Sequence, residues 1–186
     1  METLSIKTAR RTGQLWKRFG PVALIALGAL LFLASVGYWA YSAALANPGP
    51  VAVPDSVAGM RLTQKTVGPE AVVEVTRLHG KAFPLISGAM ATYGGEGAVT
   101  LWVSGAPASL IAGEMVRAMT EKIAEGRSPF TPTGTHDMDG RAVYELVGMG
   151  QRHFYFQAGR LVVWLAAPAG EALAEKALGE MLQFYP

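Results

Sequence analysis

The chain has 186 residues, 51% of them hydrophobic and 16% charged, with a formal charge of +2 and no cysteine. That length accommodates one ordinary domain with something added, and the missing cysteines exclude a disulfide framework, thiol chemistry and a cysteine-linked lipid anchor. The charge is uneven: five of the sixteen basic residues precede residue 19, and the rest of the chain, with eleven basic and thirteen acidic residues, carries no basic stripe of the kind nucleic acid selects.

Residues 1–19 form a basic tail in which Lys7, Arg10, Arg11, Lys17 and Arg18 stand against Glu2. No charged residue follows between Phe19 and Pro54. A bilayer core needs about 20 apolar residues in a helix, and residues 20–46 supply them. Positive residues stay on the cytoplasmic side. The expected topology is therefore single-pass, with a cytoplasmic tail and everything after residue 46 outside the cell membrane. Trp16 on one side, and Tyr38, Trp39 and Tyr41 on the other, read as interfacial aromatic belts. The segment also reads as a secretory signal, with Ala44-Leu45-Ala46 as its cleavage site. A signal core spans about 7–15 residues; the greater length here and the three aromatics at its far end favour an uncleaved anchor. Both readings export the same domain.

Residues 47–56, "NPGPVAVPDS", hold three prolines and predict a semi-rigid spacer. Residues 57–186 then make one extracytoplasmic α+β domain. Its first helix is expected over 68–80, with Pro69 at the first helical position, Glu70 suiting the dipole and Gly80 as the stop. A strand pair over 85–93 and 98–104 turns through Gly94-Gly95-Glu96-Gly97. A second helix, 107–125, places Ala112, Met115, Val116, Met119 and Ile123 on one face, and Gly126 ends it. Residues 127–135 read as a loop with two prolines. Strands follow over 141–147, 152–157 and 160–166, entered through Asp139-Gly140 and Gly148–Gly150. A last helix, 169–185, has an apolar face of Ala174, Ala177, Leu178, Met181 and Tyr185. The expected fold is an antiparallel sheet of about five strands with two or three helices packed on one face.

One pattern occurs twice. Residues 88–102 and 150–164 both read G-x4-Y-x3-G-x4-W, so that at an offset of 62 Gly88, Tyr93, Gly97 and Trp102 fall on Gly150, Tyr155, Gly159 and Trp164. The helix faces coincide at the same offset. Two origins fit: a duplicated strand-turn-strand-helix unit, or two hairpins that solve one turn problem alike.

Strand alternation points to a surface. Val99, Leu101 and Val103 share a face, with Trp102 opposite; Leu161, Val163 and Leu165 share a face, with Trp164 opposite; Phe154 and Phe156 lie opposite His153 and Tyr155. With helices on the aliphatic face, Trp102, Trp164, Tyr155 and His153 would occupy a helix-free face, where an aromatic patch marks a binding surface. The competing reading covers that face with a loop or with the spacer.

Other motifs carry less. His79, His136 and His153 lack the spacing of a zinc site, and Met138 and Met149 near two of them are ordinary core-filling residues as readily as soft copper ligands. "THDMDGRAVYEL", 135–146, brushes against a calcium loop, but Thr135 stands where the first aspartate belongs and Leu146 where the bidentate glutamate belongs. "RHFYFQAG" faintly resembles the aromatic strand of RNA-binding sheets, against which the export and the missing basic residues both argue. No nucleophile elbow, H-E-x-x-H or phosphate-binding loop occurs. The expectation is a non-catalytic accessory or assembly domain, without cofactor or metal, that sits in the bilayer through its helix and binds another membrane or exported protein. A small-ligand or metal-binding sensor is the second reading, and an enzyme of unfamiliar type the third.

Overall fold

A computed structural model describes residues 5–79, 83–95 and 99–186, and side chains from Phe19 onward. Gly80, Glu96, Gly97 and the side chain of Trp16 lie outside the described residues. The chain divides into two units, Met1–Ala43 and Ala44–Pro186.

The described part of the first unit is helical and belongs to α1, Ser5–Ala46, whose last three residues fall in the second unit. The stretch Phe19–Ala46 of this helix, 28 residues, is long and apolar enough to cross a membrane and is exposed almost throughout.

The second unit is α+β. In chain order it contains β1 (Gly49–Pro50), β2 (Ser56–Val57), β3 (Met60–Val67), α2 (Pro69–His79), β4 (Ser87–Tyr93), β5 (Val99–Gly105), α3 (Ser109–Ala124), β6 (Thr131–Met138), β7 (Arg141–Gly148), β8 (Gln151–Ala158), β9 (Leu161–Pro168) and α4 (Glu171–Phe184). The strands form one sheet in the order β2-β3-β4-β5-β9-β8-β7-β6, antiparallel throughout, while β1 adds to β4 in parallel. Nine strands replace the expected five. β3 and β6 were invisible to alternation because they lie near or at the edges, and most of their side chains are exposed. β6 carries Pro132 and a register shift between Pro132 and Gly134, which an edge strand tolerates.

The helices lie on both faces, which corrects the expected one-sided packing. α4 buries Ala174, Ala177, Leu178, Met181 and Leu182 against Val99, Leu101, Val103, Phe154, Phe156, Val163 and Leu165. α3 buries Ala112, Val116 and Ile123 on the opposite face, against Leu146, Tyr155 and Val162. α2 shares that face: a side chain at Gly88 would meet Val72 at 3.0 Å. The strands β8 and β9 are apolar on both sides because both sides are covered.

Strand pairing shows how far the sequence repeat extends into the structure. Across the β5–β9 pair Trp102 faces Trp164, so a two-fold axis through that pair carries β5 onto β9 at the offset of 62. The outer strands do not follow. Met90 is opposite Trp102 and Tyr155 is opposite Trp164, an offset of 65. The two helices then leave to opposite faces, which no rotation about an axis normal to the sheet allows. The two hairpins are not repeated structural units, and their connections differ in length: five residues separate Tyr93 from its partner Val99, and two separate Ala158 from Leu161.

The expected spacer is also absorbed by the fold. The Gly49 amide donates to the Ile86 carbonyl at 2.8 Å, and the Tyr185 hydroxyl donates to the Ala52 carbonyl at 2.8 Å. Val51 and Val53 pack against the core. Gly68 is obligatory at this crossing: its φ is +68°, and a side chain there would lie 3.2 Å from the Pro48 carbonyl oxygen. Three prolines stiffen this strap, so little backbone entropy is lost when it docks.

Candidate functional site

The sheet face under α2 and α3 carries a row of side chains built by direct cross-strand pairing. Met90, Trp102, Trp164, Tyr155, Tyr144 and Thr135 are successive neighbours across β4, β5, β9, β8, β7 and β6. Three of the rings stack. Trp164 and Tyr155 lie 5.1 Å apart with planes 8° from parallel, and Tyr155 and Tyr144 lie 4.7 Å apart at 10°. Phe130, from the segment leading into β6, closes over the end of the stack, 5.2 Å from Trp164 and 4.6 Å from His153. Such ring pairs stabilise beyond their area by about 0.5–1.5 kcal/mol each.

Polar atoms beneath α3 are paired. The Tyr155 hydroxyl and the Thr120 hydroxyl share a hydrogen bond of 2.8 Å. The Trp164 indole N–H donates to Nδ1 of His153 at 3.2 Å, and Nε2 of His153 lies 3.1 Å from the Gly148 carbonyl oxygen. This relay fixes the tautomer: Nδ1 accepts, so Nε2 carries the proton and donates to Gly148. Burial pushes the His153 pKa below its ordinary value, against the opposing pull of the Gly148 carbonyl. Burial likewise raises the Tyr155 hydroxyl.

The four residues singled out by alternation therefore share a face, as expected, but the face is not helix-free. Tyr155 is 1% exposed and His153 is 3% exposed. Trp164 is half-buried beneath α3, where it packs with Val116, Met115 and Met119. Tyr155 and His153 support the fold and present no contact surface, and Trp164 is partly covered by the α3 cluster. Trp102 differs: it is half-buried, and its indole N–H is buried without a hydrogen-bond partner among the described residues. The clue to the covering was in the sequence. "FYF" in β8 and "LVVWLAA" in β9 are apolar or aromatic at every position, which is the signature of a strand buried on both sides.

Two further clusters surround the row. On the α4 face Arg152 bonds Glu145 at 2.6 Å and Glu175 at 2.9 Å, and His136 lies 3.2 Å from Glu145. Burial works to raise the Glu145 carboxyl, but the bonds from Arg152 and His136 outweigh it and hold the group below its usual range. Between α3 and β7 runs a groove of about 560 Å³, lined among others by Gly113, Arg117, Thr120, Arg141, Tyr144 and Gln157. Among the described residues no three histidine, cysteine, aspartate or glutamate side chains are placed to share a metal. The stretch 135–146 forms a hairpin, in which the Gly140 amide donates to the Asp137 carboxylate at 3.1 Å and Asp139-Gly140 turn the chain.

The chain matches no protein-family model, no curated protein and no solved structure.

Proposed function

We propose that the chain is a membrane-anchored, extracytoplasmic accessory domain that binds a protein partner near the membrane surface and performs no catalysis. The observation that carries this reading is the shortness of the connection. α1 ends at Ala46 and β1 begins at Gly49, which leaves Asn47 and Pro48 between them. The prolines that resembled a spacer are used instead to strap the domain. A domain on so short a tether meets only partners that are themselves at the membrane. The basic residues before Phe19 support a cytoplasmic N-terminus. Of the aromatic residues on the α3 face, Trp102 is the one proposed to touch the partner, because its ring is only half-buried and no other ring stacks on it among the described residues.

The test is gentle solubilisation of the full chain from its native membrane. A stoichiometric membrane complex is expected, and inserting twenty Gly/Ser residues between Asn47 and Pro48 should deplete it. Recovery of the wild-type chain alone sinks the proposal. A second reading, a small-ligand sensor, is supported by the groove between α3 and β7, whose size suits a ligand. A ligand-induced rise in melting temperature that Tyr144→Ala abolishes would favour it.

A further inference from the structure

The β7–β8 hairpin has an unusual tip. Gly148 pairs with Gln151, so Met149 and Gly150 are the two turn residues, with φ of +53° and +77°. Both values are positive, as the tight primed hairpin turn demands, and the first position ordinarily goes to Asn, Asp or Gly. Here it holds Met149, which is 77% exposed, with Val147 beside it at 40%. A large apolar side chain thus stands in solvent on a backbone that disfavours it.

The base of this tip is held rigidly. The Trp164–His153 relay ends on the Gly148 carbonyl. Phe130 occupies the space of a side chain at Gly148, with its ring 2.6 Å from where a Cβ would be. Two of the residues that alternation suggested as contacts, Trp164 and His153, thus brace the hairpin. A braced apolar knob loses little entropy on docking. Its flank is polar: Val147 is opposite Arg152, which is tied to Glu145 and Glu175. An apolar centre with a polar rim is the anatomy of a protein interface.

We infer that Met149, with Val147, inserts into an apolar cleft of the protein partner; the inference rests on the partner-binding reading above. Lipid is the wrong occupant, because Arg152, the cation flanking Val147, is already neutralised by two carboxylates and offers an anionic headgroup nothing.

The experiment places the photo-crosslinking residue p-benzoylphenylalanine at position 149 of the full chain in its native membrane, with position 160, on the turn at the other end of the sheet, for comparison. In parallel, co-purification is measured for the wild type and for Met149→Asn, which suits the turn and so should fold. The expected result is one discrete protein adduct from 149, none from 160, and at least tenfold less partner recovered with Met149→Asn at an undiminished melting temperature. An adduct with lipid or with a second copy of this chain overturns the inference, as does undiminished recovery with Met149→Asn. If the wild type co-purifies with a partner but 149 gives no adduct to it, the tip is wrong and the partner-binding reading stands. If the wild type recovers no partner and 149 gives no adduct, both fall.

Discussion

Tyr93 and Trp102 belong to one hairpin, Tyr155 and Trp164 to the other, and the sequence writes the two pairs identically. The second pair is fully bonded: Tyr155 to Thr120, and Trp164 to His153. The first pair is not, for the Tyr93 hydroxyl and the Trp102 indole N–H are the two buried side-chain polar atoms without a partner among the described residues. Tyr93 faces α4 with the aliphatic core, whereas Tyr155 faces α3. A three-residue slip in strand pairing sends one tyrosine to each side of the sheet. Equal residues at equal spacing thus reach unequal surroundings, and only the second set is wired to its neighbours.

Removing the whole ring should break this comparison most visibly. Trp164→Ala takes away one end of the stack and leaves His153 without its donor, at an expected cost of about 3–5 kcal/mol. Trp102→Ala, with no ring stacked on it among the described residues, should cost about 1–2 kcal/mol. Denaturant unfolding of the full chain in detergent, followed by tryptophan fluorescence and near-ultraviolet circular dichroism, measures both. Equal losses would show that the two indoles have the same structural role after all.

A finer cut removes only the polar atom. Benzothienylalanine keeps the bicyclic shape of tryptophan and lacks its N–H. At position 164 it should cost about 1–3 kcal/mol, because a buried acceptor on His153 is orphaned. At position 102 it should be neutral or stabilising, because an unsatisfied donor disappears. Tyr155→Phe and Tyr93→Phe repeat the contrast, with about 1 kcal/mol lost in the first and nothing lost in the second. A loss at Trp102 or Tyr93 equal to its counterpart's would mean that those atoms have partners in solution.

Much of this architecture was legible, and the failures have a common cause. Helices α2, α3 and α4 and the strands β4, β5, β7, β8 and β9 came from periodicity, since each buries a face that the sequence marks with apolar residues. β3, "MRLTQKTV", and β6, "TPTGTHDM", hold no fully buried residue and only a few partly buried ones, so their apolar signal is weak. β1 and β2 are two residues each and are set by docking, not by propensity. For the site, the shared face of Trp102, Trp164, Tyr155 and His153 followed from period two. What covers that face did not, because the sequence of α3 shows which of its sides is apolar but not which side of the sheet receives it. The turn at Gly148–Gly150 was legible, but the exposed methionine on a left-handed backbone and the bracing beneath it were not. The turn shows as Met149-Gly150 at a place where hairpins prefer Asn-Gly.

Acid should sharpen the contrast between the wired and unwired sets. His153 has a folded pKa below its ordinary 6.5 because burial disfavours its charged form. The unfolded chain therefore takes up the proton first as pH falls. Stability should be full above about pH 6.5 and decline below it, until the folded pKa is reached. Glu145, also depressed, acts in a lower window, below its ordinary 4.5. His153→Gln should flatten the upper slope and leave the lower one. An unchanged upper slope would assign that pH dependence to another group.

The smallest effect concerns what the wired set holds up. Met149→Asn relieves a left-handed methionine and should raise stability by about 1 kcal/mol. Asp139 has the same left-handed geometry in the neighbouring β6–β7 turn, with φ of +54°. Its side chain already suits that backbone, so Asp139→Asn should change stability by less than about 0.5 kcal/mol. The two turns thus form an internal control, one strained and one relaxed, on the same sheet. Thermal melts of the full chain decide it. A gain at 149 and none at 139 locates the strain in the braced hairpin, where an exposed apolar side chain is kept in a conformation that asparagine would fit better. No gain at 149 would mean that the methionine lies comfortably in this turn, and its exposure would then be the only unusual feature left at the tip.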